Sequence, residues 1–229
     1  KIMDKNLKAL NPALVWKHFA EICNIPHPSH SEEKIRQYLV DFAVANNIEH
    51  SVDEAGNVVI RKPATEGCEG AQTVVLQAHT DMVCEKKAEV EHDFLRDPID
   101  IYVEDGWLRA KGTTLGGDNG IAVAFMLALL ADKTIPHPPL ECIITVDEET
   151  GMFGAAGIDL SMLRGRKLLN IDSEDEGELF IGCAGGIDTV ATMTYESEEL
   201  PEDYTFVRLE VGDLLGGHSG DDIDKGRAN

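Results

Sequence analysis

The pattern of apolar and polar residues predicts two amphipathic helices at the start of the chain. The first begins at Asn11-Pro12, a capping residue followed by proline, and has apolar residues at helical spacing as far as Ile22. The segment IPHPSHS ends it, because its two prolines cannot continue a helix. A second helix follows from Ser31 to about Val44, with acidic residues in its first turn. One face of each helix is apolar, which is typical of a helix that packs on a protein core.

The next segments alternate between strand-like and helix-like patterns. SVDEAGNVVIRK is interpreted as two strands joined by a turn, and TVVLQAH is so uniformly apolar that we expect it inside a sheet. Short extended pieces near IDIYV and WLRAKG precede the strongly apolar helix NGIAVAFMLALLAD and the core strands LECIITV and KLLNI. Strands that alternate with helices predict an α/β fold, with a mostly parallel central sheet flanked by helices.

The pattern changes near Gly185-Gly186, which predicts a domain boundary. ELFIGCA precedes this point, and IDTVATMTYE and TFVRLEVG follow it; all three are interpreted as strands of an antiparallel kind. We therefore expect residues 1–185 to form one domain and residues 186–229 to begin a second domain.

The composition of the chain argues against two kinds of binding partner and against a membrane-spanning segment. The formal charge is −22, from 42 acidic and 20 basic residues, which argues against nucleic acid or an anionic membrane surface as a partner. No apolar stretch approaches the ~20 residues that span a bilayer. The N-terminal segment lacks the apolar core of a signal peptide, so the cytoplasm is the expected location.

The cysteines indicate neither a disulfide framework nor a thiolate zinc site. There are five of them, an odd number, and their spacing is scattered without a CxxC pair. Cys142 and Cys183 lie in apolar runs and are expected to be buried as small apolar residues.

Five residues with metal-binding side chains stand where an apolar run meets a loop. His79 ends TVVLQAH, Glu148 and Glu149 follow IITVD, Asp172 follows KLLNI, and Asp118 lies in GGDNG before the apolar helix. Open α/β sheets bind ligands at the carboxyl ends of their strands, and the candidate ligands stand at such ends. One imidazole with several carboxylates and no thiolate is the ligand set of a hydrolytic zinc or manganese site.

The positions of these residues in the sequence also indicate a role for each of them. Asp81 follows His79 by two residues and is expected on the same side, where it would fix the tautomer of the imidazole. Asp118 either caps the following helix or bridges two cations through its two oxygens. A phosphate loop is disfavoured, because no lysine follows at the required spacing. Of Glu148 and Glu149, one would bind metal and the other would act as a general base toward water.

The remaining histidines are weaker candidates. His218 lies in the glycine-rich segment GGHSG, from which it could reach a substrate. His27 and His30 flank prolines in the loop between the first two helices. A serine nucleophile of the hydrolase-elbow type is not indicated, because GxSxG does not occur.

Taken together, QAHTDMV, GTTLGGDNG, TVDEETG, NIDSEDEGE, GCAGGID and GGHSG resemble the bacterial aminoacyl-histidine dipeptidases. These belong to the co-catalytic zinc peptidases, which also include aminoacylases and carboxypeptidases. The resemblance covers nearly the whole chain. It implies a catalytic α/β domain with two zinc ions and an inserted α+β lid domain that often mediates dimerisation. Residues 1–185 would then be the N-terminal part of the catalytic domain, and residues 186–229 the start of the lid.

The resemblance also implies a set of metal ligands. His79 and Asp172 would bind one zinc ion, Glu149 would bind the second, and Asp118 would bridge both. Zinc, manganese and cobalt all accept this ligand set, so the sequence leaves the metal open.

Three further residues receive roles from the resemblance. Glu148 would be the general base, Asp81 would support the histidine ligand, and His218 would contact the substrate. In this family a last histidine ligand comes from catalytic sequence that follows the lid, whereas this chain ends at Asn229, just inside the presumed lid. We therefore expect a fragment of a longer protein, with a ligand missing from the second zinc site.

The expected function is metal-dependent hydrolysis of dipeptides, with Xaa-His preferred, by a protein that forms homodimers through its lid. One alternative is an aminoacylase or other deacylase with the same site chemistry. A second is a non-catalytic protein that binds metal or peptide, and a phosphate or nucleotide binder is more distant.

Overall fold

The chain forms two compact units, Lys1–Glu174 and Asp175–Asn229. The computed structural model describes residues 7–173, 176–183, 185, 187, 189–212, 214–216 and 224–227. The division between the units lies close to the domain boundary expected at 185/186, which stays a prediction.

A five-stranded sheet is the frame of the first unit. Its strands, in spatial order, are β1 (Glu49–Val52), β2 (Val58–Lys62), β6 (Leu140–Thr145), β3 (Val74–His79) and β7 (Lys167–Asn170). β2 is antiparallel to both β1 and β6, whereas β6, β3 and β7 are parallel to one another. Four of the five strands therefore run in the same direction, which confirms the predicted mostly parallel sheet.

Helices and a small second sheet complete this unit. They are α1 (Ala13–Cys23), α2 (Glu33–Ala45), β4 (Ile101–Glu104), β5 (Trp107–Ala110), α3 (Gly117–Ala131), α4 (Phe153–Ala156) and the 3-10 turns Leu7–Ala9 and Leu160–Met162. The apolar patterns predicted α1, α2 and α3 to within a few residues. α1 begins one residue later than predicted, with Pro12 as its capping residue and no side-chain hydrogen bond at the cap.

The two faces of the sheet are covered differently. One face packs against α1, α2 and α3 through the strand residues Val58, Ile60, Leu76, Ala78, Cys142 and Ile144. The opposite face presents Val59, Val75 and Ile143 to the segment that contains Ile158, Met162 and Leu163. The alternation of side chains along each strand produces these two layers, and the larger layer is the main core.

Helix α3 is the most apolar element, and its burial positions the site. Its side chains are buried along most of its length, as predicted, with Ile121 and Phe125 exposed. It packs against α1 and β3, and this places its first turn, which carries Asp118, beside the end of β3. No helix in the described ranges has both the length and the apolarity that crossing a bilayer requires.

Two predictions about burial are corrected by the structure. KLLNI was expected to be a core strand, but β7 lies at the edge of the sheet and is exposed at all four positions. Cys142 is buried as predicted, whereas Cys183 is exposed. In both cases an apolar run was taken as a sign of burial, although burial also needs a neighbouring element to cover it.

The predicted strands of the second unit are also wrong where the structure describes them. ELFIGCA, IDTVATMTYE and TFVRLEVG contain no strand among their described residues. A strand is completed by hydrogen bonds to a partner backbone, and these segments pair with none there. Their apolar side chains, such as Ile181 and Leu209, are therefore exposed. The α+β character expected of residues 186–229 is not seen in that described part.

Candidate metal centre

Side chains from three strand ends and one helix start meet at the carboxyl edge of the parallel strands. His79 is the last residue of β3, Glu148 and Glu149 come shortly after β6, and Asp172 comes shortly after β7. Asp118 is the second residue of α3. The structure thus brings together all five residues that the sequence marked as ligands or general base.

The imidazole of His79 lies at the centre of this group. It is only 1% exposed, and its Nε2 is 3.0 Å from Oδ1 of Asp118. The same nitrogen is 3.6 Å from Oδ2 of Asp172 and 4.0 Å from Oε2 of Glu148. One nitrogen therefore faces three carboxylates from three different elements.

Two sets of ligand atoms share this histidine. One set is His79, Asp118 and Asp172, and the other is His79, Glu148 and Glu149; within each set the atoms lie within 4.8 Å of one another. Ligand atoms around one tetrahedral zinc ion are about 3–4 Å apart, because each lies roughly 2.0–2.2 Å from the metal. Either set could close on one divalent cation with small side-chain movements. The first set contains the two residues assigned above to the same ion.

Asp81 connects the end of β3 to the turn after β6. Nδ1 of His79 is 3.0 Å from the carbonyl oxygen and 3.3 Å from Oδ1 of Asp81. Its carboxylate also accepts hydrogen bonds from the backbone N–H groups of Glu148 and Glu149, at 3.0 and 3.2 Å, and from Oγ of Ser29 at 2.8 Å. A proton held on Nδ1 leaves the lone pair of Nε2 free to bind a metal.

Three ionisable side chains of the centre have pKa values raised above their usual range. Burial lowers the pKa of His79, but hydrogen bonds to Asp118 and Asp81 outweigh it and raise the pKa to about 10. Burial, reinforced by the charge of Asp118, raises the pKa of Glu149 to about 7. Burial also raises the pKa of Asp172 to about 6, although His79 opposes the shift. Carboxylates that lie close together repel one another, so their pKa values rise when no positive charge is near. A bound cation would supply that positive charge.

A loop between α1 and α2 supports the turn after β6, a contact that the sequence analysis did not predict. Oε1 of Glu32 accepts a hydrogen bond of 3.0 Å from the backbone N–H of Asp147, and Nδ1 of His30 is 3.2 Å from Oδ2 of Asp147. A bridge between Pro28 and Met82 attaches the same loop beyond β3. His30 therefore reaches the margin of the centre. Loop residues follow neither helical nor strand spacing, so their polarity is the one property of the sequence that could have indicated a role.

The glycine-rich segment before α3 is needed for close packing. Gly116 has a φ of 71°, and a Cβ there would lie 2.9 Å from Sδ of Met82 and 3.6 Å from Nε2 of His27. His27 is buried below this turn, where its Nδ1 is hydrogen bonded to the carbonyl of Ile25. His27 belongs to neither set of ligand atoms around His79. His218 lies outside the described residues, so its predicted contact with substrate stays a prediction.

We expect Asp81→Asn to weaken the binding of divalent cations by about 10- to 100-fold, because loss of a supporting residue has this effect in metal sites. The asparagine amide would place its own N–H against one of the two backbone N–H groups, those of Glu148 and Glu149, that now donate to the carboxylate of Asp81. Competition with a chromogenic chelator measures the change. Asp159→Asn removes an equal charge from an exposed turn outside the centre and serves as the control. Equal affinity in the two variants would show that Asp81 does not orient the ligands.

Comparison with known proteins connects this geometry to a family. Residues 75–209 match the model of peptidase family M20/M25/M40. The chain is 46% identical over 223 residues to the cytosol non-specific dipeptidase of Escherichia coli K12, an alignment that covers 97% of this chain and 46% of that protein.

Two solved structures are also similar. The aminoacylhistidine dipeptidase from Vibrio alginolyticus superposes with a TM-score of 0.73 and 51% identity, over 75% of this chain and 35% of that one. The aminopeptidase PepT from Bacillus cereus superposes with a TM-score of 0.60 and 25% identity, over 71% of this chain and 43% of that one.

These relatives are longer proteins, and the chain spans less than half the length of each. The matched range, residues 75–209, is more than half of the 229 residues and includes both sets of ligand atoms around His79. The chain belongs to peptidase family M20/M25/M40.

Proposed function

We propose that the complete protein is a metal-dependent dipeptidase that prefers Xaa-His dipeptides and works with two divalent cations. The observation that carries this proposal is the meeting of two sets of carboxylates at the single buried imidazole of His79. A dipeptidase is favoured over other hydrolases because two of the similar proteins are named as dipeptidases.

The ligands are divided between two cations. His79 and Asp172 would hold one cation, Glu149 would hold the other, and Asp118 would bridge them through its two oxygens. Zinc is the metal that we propose, although manganese and cobalt suit the same donors. Such a pair of cations polarises the scissile carbonyl and lowers the pKa of a bound water.

Glu148 is the residue that we propose as general base. Its Oε2 is 4.0 Å from Nε2 of His79, farther than the closest oxygens of Asp118 and Asp172. Its backbone is fixed by the hydrogen bond from its N–H to Asp81. A carboxylate held at the margin of the ligand set can face a water, take its proton and pass that proton to the leaving amine.

Assembly and location are part of the same proposal. The complete protein would form a homodimer through the lid domain that begins in residues 186–229, with His218 close to the substrate. The support for this is the resemblance to the dipeptidases described above. A cytoplasmic location is proposed because the Escherichia coli relative is named as a cytosol enzyme.

A substrate comparison tests the function. The complete protein is stripped with a chelator and reloaded with zinc, and then assayed with Xaa-His dipeptides and with N-acyl amino acids. We expect dipeptide hydrolysis that is lost on stripping, returns on reloading and exceeds deacylation. Faster deacylation would favour the aminoacylase alternative. Hydrolysis of neither substrate by the metal-loaded protein would favour a non-catalytic metal- or peptide-binding protein.

Binding of metal at pH 7 is expected to release about one to two protons per chain, because metal ligands must be deprotonated. The pKa of His79 is about 10, so its imidazole carries a proton that the cation must displace. The pKa of Glu149 is about 7, so this carboxyl contributes a further fraction of a proton. The apparent affinity should therefore rise with pH from 6 to 9. Calorimetry in two buffers of different ionisation enthalpy measures the release, and identical heats in both would contradict it.

A further inference from the structure

Asn119 is a buried residue that connects the ends of two strands of the metal centre. It follows Asp118 in α3 and is only 4% exposed. Its Oδ1 accepts a hydrogen bond of 3.3 Å from the backbone N–H of His79, at the end of β3. Its Nδ2 donates to the carbonyl of Ile171 at 3.3 Å and to Oδ1 of Asp172 at 3.1 Å, beyond the end of β7. The side-chain amide of Asn119 thus contacts the segments that carry His79 and Asp172. The residue itself directly follows Asp118 in the chain.

The hydrogen bond to Asp172 selects which carboxylate oxygen faces the histidine. Oδ1 of Asp172 is engaged by the amide of Asn119, whereas Oδ2 lies 3.6 Å from Nε2 of His79. Rotation of the Asp172 carboxylate would break the bond to Asn119. The amide therefore directs one oxygen toward the imidazole nitrogen that is available to a metal.

Local structure explains why Asp172 needs such support. β7 lies at the edge of the sheet, is exposed at all four positions, and pairs only with β3 among the described strands. Asp172 lies beyond the last paired residue, where a backbone N–H bond from Ile171 to Gln77 continues the contact with β3. Asn119 supplies the side-chain connection from α3, an element that is firmly packed in the core.

An asparagine suits this task because its amide is neutral and offers both a donor and an acceptor. A carboxylate in its place would add negative charge to a centre that already holds several acidic groups. An apolar residue would take away the hydrogen bond that the backbone N–H of His79 donates to Oδ1 in a buried position, which is destabilising.

We propose that Asn119 is a positioning residue that orients Asp172 and His79 to bind the same cation. This role rests on the proposed binuclear metal site and extends it to a residue that binds no metal itself. The side chain acts through the two ligands and does not contact the reacting atoms.

The test compares Asn119→Leu, which has a similar size without hydrogen-bonding groups, with Asn119→Ala, which is smaller and relieves any steric conflict. Glu141→Gln is the control for general loss of stability. Glu141 is buried at the opposite end of the sheet, where its carboxylate accepts hydrogen bonds from the backbone N–H groups of Arg164 and Gly165. The thermal transition of each metal-free variant establishes that it is folded before metal is added.

Two properties are measured: affinity for Zn²⁺ by chelator competition, and the visible absorption spectrum of bound Co²⁺, which reports coordination geometry. We expect both Asn119 variants to bind the cation held by His79 and Asp172 about 10- to 100-fold more weakly, as is typical when support for a ligand is lost. Their Co²⁺ spectra should also change. Glu141→Gln should lower the thermal transition while leaving the affinity and the spectrum as in the unmodified chain.

Each other outcome has a definite meaning. If the unmodified complete protein binds two ions and a folded Asn119 variant of it matches it in affinity and spectrum, the positioning role is wrong and the metal site stands. An equal loss of affinity in Glu141→Gln would attribute the effect to stability and would also overturn the role. If the unmodified complete protein binds no ion, the proposed function fails, and the role of Asn119 fails with it.

Discussion

Glu148→Gln is expected to lower kcat for dipeptide hydrolysis by about 100- to 10 000-fold, which is the usual contribution of a general base. Both cations should remain bound, because the amide keeps the size of the side chain and the proposed ligands are unchanged. Elemental analysis of the dialysed protein measures the metal, and steady-state kinetics on the complete protein measures turnover. KM should change little, since the interaction removed is one with the attacking water.

The matched control is Glu54→Gln, the same chemical change at an exposed position that belongs to neither set of ligand atoms. It should leave kcat and metal content as they are in the unmodified protein. If Glu148→Gln lost metal and activity in equal measure, Glu148 would be a ligand and the assignment of the general base would be wrong. Full activity in this variant would equally contradict the assignment.

Asp118→Ala is expected to remove most of the bound metal, from about two ions to fewer than one per chain, because a bridging carboxylate serves both ions. Its oxygen is the closest of the carboxylate oxygens measured to Nε2 of His79, at 3.0 Å. Removal of this carboxylate also takes away the strongest hydrogen-bond partner that raises the pKa of His79. Activity should fall with the metal.

Asp132→Asn provides the control for this variant, because Asp132 lies at the opposite end of the same helix and its carboxylate accepts hydrogen bonds from the Thr134 turn. It should retain both ions. Loss of only one ion in Asp118→Ala would show that Asp118 serves one cation and does not bridge. Retention of both ions would exclude it from the ligand set.

The sequence predicted the frame of the site because two simple patterns coincide there. TVVLQAH and LECIITV are uninterrupted apolar runs, and they became the adjacent parallel strands β3 and β6. Strands that are parallel bring their carboxyl ends to one edge, so the polar residues after each run had to meet. This reasoning predicted that His79, Glu148 and Glu149 lie together, and the glycines that precede a buried helix drew attention to Asp118.

Other features could not be predicted, because they depend on contacts between distant segments. The bond from Asn119 to Asp172 joins residues 53 positions apart, and the bond from Ser29 to Asp81 joins residues 52 positions apart. Neither pair has a spacing that a single sequence reveals. The apolar run of β7 was expected in the core but lies at an edge, because the sequence does not say which strand has a neighbour on both sides.

The proposed site binds two divalent cations in the complete protein, and elemental analysis of that protein after dialysis against buffer with trace zinc measures them. We expect about two zinc ions per protein chain, one held by His79 and Asp172 and the other by Glu149, with Asp118 shared between them. A complete protein that is folded yet retains no metal after dialysis would contradict the binuclear site.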